Sequence, residues 1–453
     1  MIIFLILLSY LFLVINFGAP APISNTSDFV LFLEHTGVLI ICYVIIKRHF
    51  KDKTLCSKYF KFFLIGYCLS LLYLYSEWGQ QLYKTFSIGW DAFDPVKYYS
   101  MAAVSIQQTP LDFSMFPVAY IYYVLMKVFG LNPLVPLFFN EICFVYAVCL
   151  ISLHINEKTP NQLRYYAWLM LIPELLVFNV TSSKDILCCL CATIVFVKSS
   201  DLLKKKISVE NILVLTFFFI VFVLARTSLA MASICGVMLT LLFTKKLSKK
   251  TFFLIVVVLA MGLGASFLTS GNEYGSTDIV AEKVGTEMSG DVSNAAQLND
   301  QSSSSFANYL IPHNTIEYIV FGFVRSICYI VIDPRFIKNP IDVLIPFSGL
   351  NMRLLVDYTT LAMFIFCFFF IIWLFRRFRS ENSCVKDVFI VTALYWYSVG
   401  TFNPMMIHVR YRVVYDILFF SLAIRSYLTR KKIGEMHSNK LKRYDSKEYN
   451  CNK

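Results

Sequence analysis

Long apolar runs separated by short polar segments make up most of the chain. Runs that can cross, or nearly cross, a bilayer lie at 1–18, 29–46, 62–82, 134–153, 164–178, 185–200, 211–225, 227–243, 251–268, 352–375, 387–402 and 412–428. A spanning helix needs about 20 predominantly apolar residues, so we expect the bounds of the shorter runs to shift by a few residues. The pattern predicts an all-α polytopic membrane protein with about 12 transmembrane helices.

Lysine and arginine clusters orient these runs, because cytoplasmic loops of membrane proteins carry an excess of both residues. The clusters lie at 47–61, 198–206, 245–250, 376–379 and 429–453. All of them fall on one side if each run crosses the membrane once. We therefore expect both termini in the cytoplasm, with 429–453 as a basic tail behind one transmembrane domain, 1–428. The first run lacks the basic n-region of a signal peptide, which favours an uncleaved anchor over cleavage near Ala19.

Two further apolar stretches, 116–130 and 314–332, break this alternation if each crosses once. Lys127 and Arg325 interrupt them. We interpret both stretches as re-entrant or interfacial helices on the outer face. A paired crossing of 314–332 with 336–350 is the alternative.

This topology predicts two polar loops on the outer side, at 84–116 and 269–351. Within the second loop, 269–312 is the one long hydrophilic segment, with six acids and one lysine. Neither a repeat of fixed period nor a second soluble domain is visible. The chain is therefore expected to form a single polytopic domain.

Composition agrees with this class. Hydrophobic residues make up 57% of the chain, charged residues 15%, and the mean hydropathy is +0.63, whereas soluble domains contain about 25% charged residues. The net charge of +12 falls in short clusters between apolar runs, so it indicates topology and no nucleic-acid partner. Cys188, Cys189 and Cys191 lie in an apolar run without a nearby histidine, so we expect small buried side chains, with no metal, cofactor or disulfide framework.

Residues 89–99 concentrate polar chemistry at the outer surface, with Asp91, Asp94 and Tyr98 among aromatic neighbours. Asp94 can cap a helix that begins with Pro95, because the missing N–H of proline costs nothing at a helix start. Asp91 then lies just before that start, where the helix dipole favours negative charge. Two carboxylates beside aromatic rings suit either a sugar-handling site or an ordinary capped interfacial helix.

Two cations are predicted at the outer ends of later spans. Lys184 stands beside Asp185, where a span enters from outside. Asp185 can cap that helix, but a cation is unfavourable there and indicates an anionic partner. Arg226 lies in the tight outer turn of the hairpin 211–243. Its guanidinium either snorkels to lipid headgroups or forms a fixed outward cation suited to bidentate phosphate contact.

The outer loop before the last span carries His408, Arg410 and Arg412. Outer loops normally avoid cations, so these arginines run against the positive-inside trend. Arg325 is a further candidate cation, and His313 is a candidate base. Cations on the outer face suit a lipid-linked phosphate or pyrophosphate, whereas a carboxylate or histidine suits deprotonation of an attacking sugar hydroxyl.

Several of these motifs resemble those of GT-C-type membrane glycosyltransferases. The similarity rests on Trp-Asp-x-x-Asp-Pro-x-x-Tyr-Tyr in the first outer loop, Phe116-Pro117, the segment from Phe129 to Pro133, Asn140, Lys184-Asp185 and Arg410-Tyr411-Arg412. The layout, with about 12 spans, both ends inside and a long outer loop late in the chain, resembles bacterial O-antigen or capsule repeat-unit polymerases of the Wzy type.

This resemblance implies that a growing glycan is transferred from its undecaprenyl pyrophosphate carrier to a new lipid-linked repeat unit, on the periplasmic face of the bacterial inner membrane. It implies Asp91, Asp94 and His313 as catalytic residues. The residues that would bind the substrate are Tyr98, Lys184, Asp185, Arg226, Arg325, His408, Arg410 and Arg412. Asp91 and Asp94 are not adjacent, which favours chemistry without a metal. Membrane lipid, a chain-length regulator and a flippase are the further partners that such an enzyme would have.

Two other functions fit the same pattern. A GT-C glycosyltransferase could add one sugar from a polyprenyl monophosphate donor. A transporter or flippase of the lipid-linked unit is the second alternative, but such proteins place charges in mid-span and often contain two related halves. Here nearly all the candidate charges lie at the outer ends of spans, and no halves are visible, so the polymerase is preferred.

Overall fold

The computed structural model describes residues 28–75, 97–107, 117–155, 160–204, 208–226, 229–230, 233, 352–381, 383–402, 413–432 and 434. In chain order the helices are α1 (Asp28–His49), α2 (Lys53–Tyr75), α3 (Lys97–Gln107), α4 (Val118–Phe129), α5 (Leu134–Ile155), α6 (Pro160–Tyr166), α7 (Pro173–Val180), α8 (Asp185–Lys204), α9 (Val209–Ala225), α10 (Met352–Arg376), α11 (Ser383–Phe402) and α12 (413–432). Short 3₁₀ helices occupy Ala167–Leu171 and Phe378–Ser380. Every regular element in these residues is helical, which confirms the all-α class for this part of the chain.

Three helices among the described residues, α1, α2 and α5, are long and apolar enough to cross a membrane. A fourth span is present if the bent segment from Gln162 to Val180 counts as one. The structure is therefore compatible with a membrane protein. The larger number of spans expected from the sequence stays a prediction.

The central helix of the bundle is α5. It is strongly apolar and packs against α1, α8 and α7. Its start is capped by Asn132, whose Oδ1 accepts a hydrogen bond from the Leu134 N–H at 2.9 Å. An asparagine side chain at this position satisfies one of the N–H groups that have no partner within the helix. Asn140, Glu141 and Ser152 on α5 are buried, so they face other helices and not an open surface.

The start of α2 differs from the apolar pattern, which placed a run at 62–82. The helix begins at Lys53, because Asp52 caps it: the Thr54 hydroxyl and N–H donate to Asp52 Oδ1 at 2.7 and 2.8 Å. These bonds hold the pKa of the exposed Asp52 carboxyl below its ordinary value. Lys58 and Lys61, expected in a loop, therefore lie on the first turns of a helix.

The run expected as one span at 164–178 is broken into α6, a 3₁₀ helix and α7, with a bend of 49°. Pro173 begins α7, since proline lacks the N–H that a continuous helix would use. Gly66 of α2 packs against this break: a Cβ on Gly66 would lie 2.6 Å from the Met170 carbonyl oxygen. The bent span and α2 are therefore in backbone contact where the bend occurs.

Two shorter helices lie within and directly after the first predicted outer loop, 84–116. α3 fits the helix expected after Asp94 and Pro95, although both of these residues lie outside the described ones. α4 contains 12 residues and ends at Gly130, which adopts φ 81°. Its length is too short for a full span, and the re-entrant or interfacial placement expected for 116–130 stays a prediction. The corresponding expectation for 314–332 lies outside the described residues.

The C-terminal helices α10, α11 and α12 pack through aromatic rings and a polar cluster. Phe364 on α10 stacks on Phe419 of α12 with ring centroids 3.7 Å apart. At the end of these helices Arg425 contacts Glu381 at 3.2 Å and donates to Gln162 Oε1 at 3.2 Å. Arg425 therefore links α12 both to the turn before α11 and to α6. We call this end of the bundle the basic end, because the lysine and arginine clusters of α2, α10 and α12 collect there.

Candidate functional site

Four of the predicted site residues lie among those described: Tyr98, Lys184, Asp185 and Arg226. The structure brings the elements that carry them together, as the following contacts show. The other predicted site residues lie outside the described residues, and their roles stay predictions. They are Asp91, Asp94, His313, Arg325, His408, Arg410 and Arg412.

Asp185 and Arg226 form a buried ion pair, with Arg226 Nη2 2.7 Å from Asp185 Oδ1. Asp185 begins α8 and Arg226 follows the last residue of α9. At the opposite end of the same two helices, Lys198 Nζ donates to Asn211 Oδ1 at 2.9 Å. The two helices are therefore antiparallel neighbours, with Asp185 and Arg226 at one shared end.

This pairing changes the interpretation of Arg226. The sequence indicated either a snorkelling cation or a fixed outward one, but the arginine is buried and directed at a carboxylate. The physical reason is the register of α8 and α9, which brings an acid at a helix start to the residue at a helix end. Arg226 is consequently held in a fixed orientation, and Lys184 on the adjacent turn is the more accessible cation.

The turn between α7 and α8 is fixed by side chains from distant elements. Asn140 of α5 donates from Nδ2 to the carbonyl oxygens of Asn179 and Thr181 at 3.0 and 2.7 Å. The Tyr99 N–H of α3 donates to Ser182 Oγ at 3.1 Å. Because α3 lies within the first predicted outer loop, this bond brings that loop's helix, with Tyr98 on it, to the Lys184–Asp185 turn.

Tyr122 of α4 also lies close to Asn140 and to the turn between α7 and α8. Its hydroxyl donates to Asn140 Oδ1 at 3.4 Å and lies close enough to Asp185 and Tyr98 to interact with both electrostatically. The predicted residues that the structure describes therefore converge on one region. We call it the polar zone and define it by Tyr98, Tyr99, Tyr122, Asn140, the turn 181–185 and Arg226.

A second group of ionisable residues, which the sequence reasoning missed, lies beside the polar zone. His35 Nδ1 is 2.8 Å from the Tyr67 hydroxyl, and the two rings stack with centroids 5.2 Å apart. Glu34 and Glu141 both lie near enough to Tyr67 to interact with it electrostatically. All four side chains are buried. We call Glu34, His35, Tyr67 and Glu141 the buried quartet.

The quartet carries polar atoms without conventional partners. Both carboxylate oxygens of Glu34, Nε2 of His35 and Oε1 of Glu141 make no hydrogen bond of ordinary geometry to the described part of the chain. Asn132 approaches Glu34, and Ser70 and Asn179 approach Glu141. Ionisable groups inside a membrane bundle are expensive and are usually retained for function. The quartet is therefore a second part of the candidate site.

The signal for the quartet was present in the sequence. Glu34, His35 and Glu141 interrupt apolar runs roughly two turns inside the N-terminal ends of α1 and α5. The sequence reasoning considered only charges at the outer ends of spans, so it did not select these three residues inside helices. The quartet lies near the polar zone, since Tyr99 interacts electrostatically with Glu34, and Asn140 precedes Glu141 on α5.

The cysteines and the available metal ligands contribute little to this site. Cys188, Cys189 and Cys191 are buried thiols inside α8, as expected. Among the described residues, no group of three or more His, Cys, Asp or Glu side chains is arranged to hold a metal ion. The chain matches no protein-family model, no curated protein and no solved structure.

Proposed function

We propose that the chain is a polytopic membrane glycosyltransferase that polymerises undecaprenyl-pyrophosphate-linked oligosaccharide repeat units into an O-antigen or capsule. The observation that carries the proposal is the convergence of Tyr98, Lys184, Asp185 and Arg226, which come from three separate parts of the chain. Together they supply cations, a carboxylate and an aromatic ring at one end of a bundle of apolar helices. A lipid-linked saccharide presents the matching chemistry: phosphate, sugar hydroxyls and sugar faces.

Each described residue has a proposed role. Lys184 would contact the pyrophosphate, as a compact and mobile cation. Asp185 would hold the Arg226 guanidinium in place, so that the positive charge is oriented before the substrate binds. Tyr98 would stack against a sugar ring. A base that deprotonates the attacking hydroxyl is still needed, and Asp91, Asp94 and His313 remain the candidates.

The proposed topology has both termini in the cytoplasm of a bacterial inner membrane, with about 12 spans. The polar zone would then face the periplasm, because α8 begins and α9 ends there while Lys198 lies at the opposite end. Reporter fusions after Arg48, Lys205 and Arg379 should report cytoplasm, and a fusion near Met405 should report the outside. An outside signal from Lys205 would contradict the proposed orientation of α8.

The activity is tested on the surface glycan of a strain that lacks the chain. Deletion should collapse the polymer ladder on a gel to single repeat units, and re-expression should restore it. A ladder that persists without the chain, or single repeats that fail to reach the outer face, would contradict the polymerase. Arg410→Lys and Arg412→Lys extend the test, since at least one should lose most polymer if the guanidinium fork contacts pyrophosphate.

The buried quartet favours a second candidate, a transporter of the lipid-linked unit. Titratable groups buried within membrane spans are typical of transport pathways and proton relays. Glu34→Gln and Glu141→Gln distinguish the two functions. In a transporter these changes should trap the repeat unit on the cytoplasmic face. In the polymerase the single unit should still appear outside, whatever happens to polymer length.

A further inference from the structure

A cleft at the basic end of the bundle lies far along the helices from the polar zone. It is enclosed by the bent span, α10 and α12, and it has a volume of about 350 Å³. This volume lies in the range of small-ligand pockets, about 300–1,000 Å³. The aromatic side chains in its lining are Tyr165, Trp168, Phe366, Phe370, Phe420 and Tyr427.

The cleft is apolar in its depth and open on one side. Phe420 and Met363 lie near the middle of their helices, whereas Tyr165, Phe370 and Tyr427 lie near the helix ends. Trp168 and Phe366 have relative exposures of 57% and 65%. Its shape is therefore that of a slot that runs from mid-bundle to the basic end and opens towards the surroundings of the bundle.

Cations surround the mouth of this slot. Lys431 Nζ and Arg164 Nη2 donate to the Tyr165 hydroxyl at 3.2 and 3.4 Å. Lys58 Nζ lies 5.8 Å from the centroid of the same ring. Arg430 covers the Phe370 ring at 5.0 Å. The slot therefore has positive charges on both sides of its mouth.

Three of these cations are not paired with acids in the described part of the chain. Lys58, Arg164 and Arg430 make no ion pair there, and the nearby Glu381 is bonded by Arg425 and Thr429. An apolar slot with these three cations at its mouth has the charge pattern that complements a phosphate attached to a hydrocarbon chain. Basic residues near a membrane surface attract anionic lipids by about 1 kcal/mol each.

We propose that this slot binds an anionic phospholipid of the surrounding bilayer, with one acyl chain between α10, α12 and the bent span and its phosphate at Tyr165. The bound lipid would join elements that are separated widely in sequence, since the bent span and α12 both contact it. This site is independent of the saccharide chemistry proposed for the polar zone.

Native mass spectrometry of the purified, delipidated full-length chain tests the proposal, with phosphatidylglycerol or phosphatidylcholine added back. One phosphatidylglycerol should remain bound under conditions that remove phosphatidylcholine. In the triple variant Lys58→Gln/Arg164→Gln/Lys431→Gln this preference should fall about tenfold or more, because three headgroup cations are lost. Lys386→Gln is the matched control: it removes an exposed lysine at the same end, bonded to the Arg379 carbonyl and away from the slot.

A steric variant tests the apolar part of the site separately. Cys367→Trp should fill the slot and abolish retention of both lipids while leaving the cations in place. Equal retention of the two lipids by the unchanged protein would overturn the proposal. So would full phosphatidylglycerol retention in the triple variant. Displacement of phosphatidylglycerol by equimolar undecaprenyl phosphate would also overturn it, since the slot would then belong to a polyprenyl carrier.

Discussion

The two ends of the bundle each contain an arginine–carboxylate pair, but in different surroundings. Arg226 and Asp185 are 2.7 Å apart, with side-chain exposures of 6% and 0%. Arg425 and Glu381 are 3.2 Å apart, with exposures of 19% and 6%. The first pair stands among buried polar groups fixed by hydrogen bonds to backbone. The second stands beside exposed lysines and arginines that lie over aromatic rings.

The difference indicates what each end is built for. A buried charge must be compensated by a partner held in one geometry, so the polar zone is rigid and specific. An exposed cation on a long side chain can move between water, aromatic faces and phosphates, so the basic end is adaptable. The rigid end suits chemistry on a positioned substrate, and the adaptable end suits membrane lipids.

The largest expected effect comes from breaking the buried pair. Arg226→Ala should lower the free energy of unfolding by about 3–5 kcal/mol, because Asp185 loses its cation inside the bundle. The double variant Asp185→Leu/Arg226→Leu should recover much of this loss, since apolar residues can replace a buried pair, yet it should still make no polymer. Thermal unfolding in detergent measures the stability. An Arg226→Ala protein as stable as the original would contradict the buried pairing.

A smaller loss is expected at the turn that the ion pair flanks. Asn140→Leu removes the donor for the carbonyl oxygens of Asn179 and Thr181, at a cost of about 1–3 kcal/mol. Asn179→Leu is the matched control, because its side chain approaches Glu141 but makes no hydrogen bond of ordinary geometry in the described part of the bundle. The control should lose much less stability. Equal losses for the two asparagines would indicate a packing effect only.

The contact between α2 and the bent span is tested at Gly66. Gly66→Ala should cost about 1–3 kcal/mol, because its Cβ would collide with the Met170 carbonyl at the bend. Gly37→Ala on α1 is the matched control, since its Cβ would meet only a side-chain atom of Phe138 at 3.3 Å. That ring can shift, so this variant should be nearly neutral. A harmless Gly66→Ala would place the bend out of contact with α2.

The smallest effect is expected at the basic end. Arg425→Gln should change stability by at most about 1 kcal/mol, because the pair is partly exposed and screened. Thermal unfolding at low and high salt measures it, and the small difference from the unchanged protein should shrink further at high salt. A loss as large as that of Arg226→Ala would remove the distinction between the two ends.

The helical class and several helix positions were predictable because long apolar runs have few other solutions. α1, α5, α8 and α9 agree with their predicted runs to within a few residues. The bend at Pro173 was missed although proline is a visible helix breaker. The run was apolar on both sides of it, and hydropathy alone does not register a break in the hydrogen-bond ladder.

The site was predictable only where a polar residue stands at the end of a run. Lys184, Asp185 and Arg226 were found in this way, but the pairing of Asp185 with Arg226 depends on helix register, which no local pattern encodes. Glu34, His35 and Glu141 were visible as interruptions, yet their meeting around Tyr67 depends on how α1, α2 and α5 pack. Helices that are apolar on all sides give no amphipathic signal for such packing.

The central claim is that the polar zone handles a phosphate-linked saccharide. It is tested most directly by the glycan gel of a deletion strain that expresses either Lys184→Gln or Lys198→Gln. Lys184 directly precedes α8, whereas Lys198 lies in its second half and is bonded to Asn211. We expect Lys184→Gln to leave single repeats at the outer face with a normal protein level, and Lys198→Gln to give the full ladder. A full ladder from Lys184→Gln would contradict the claim.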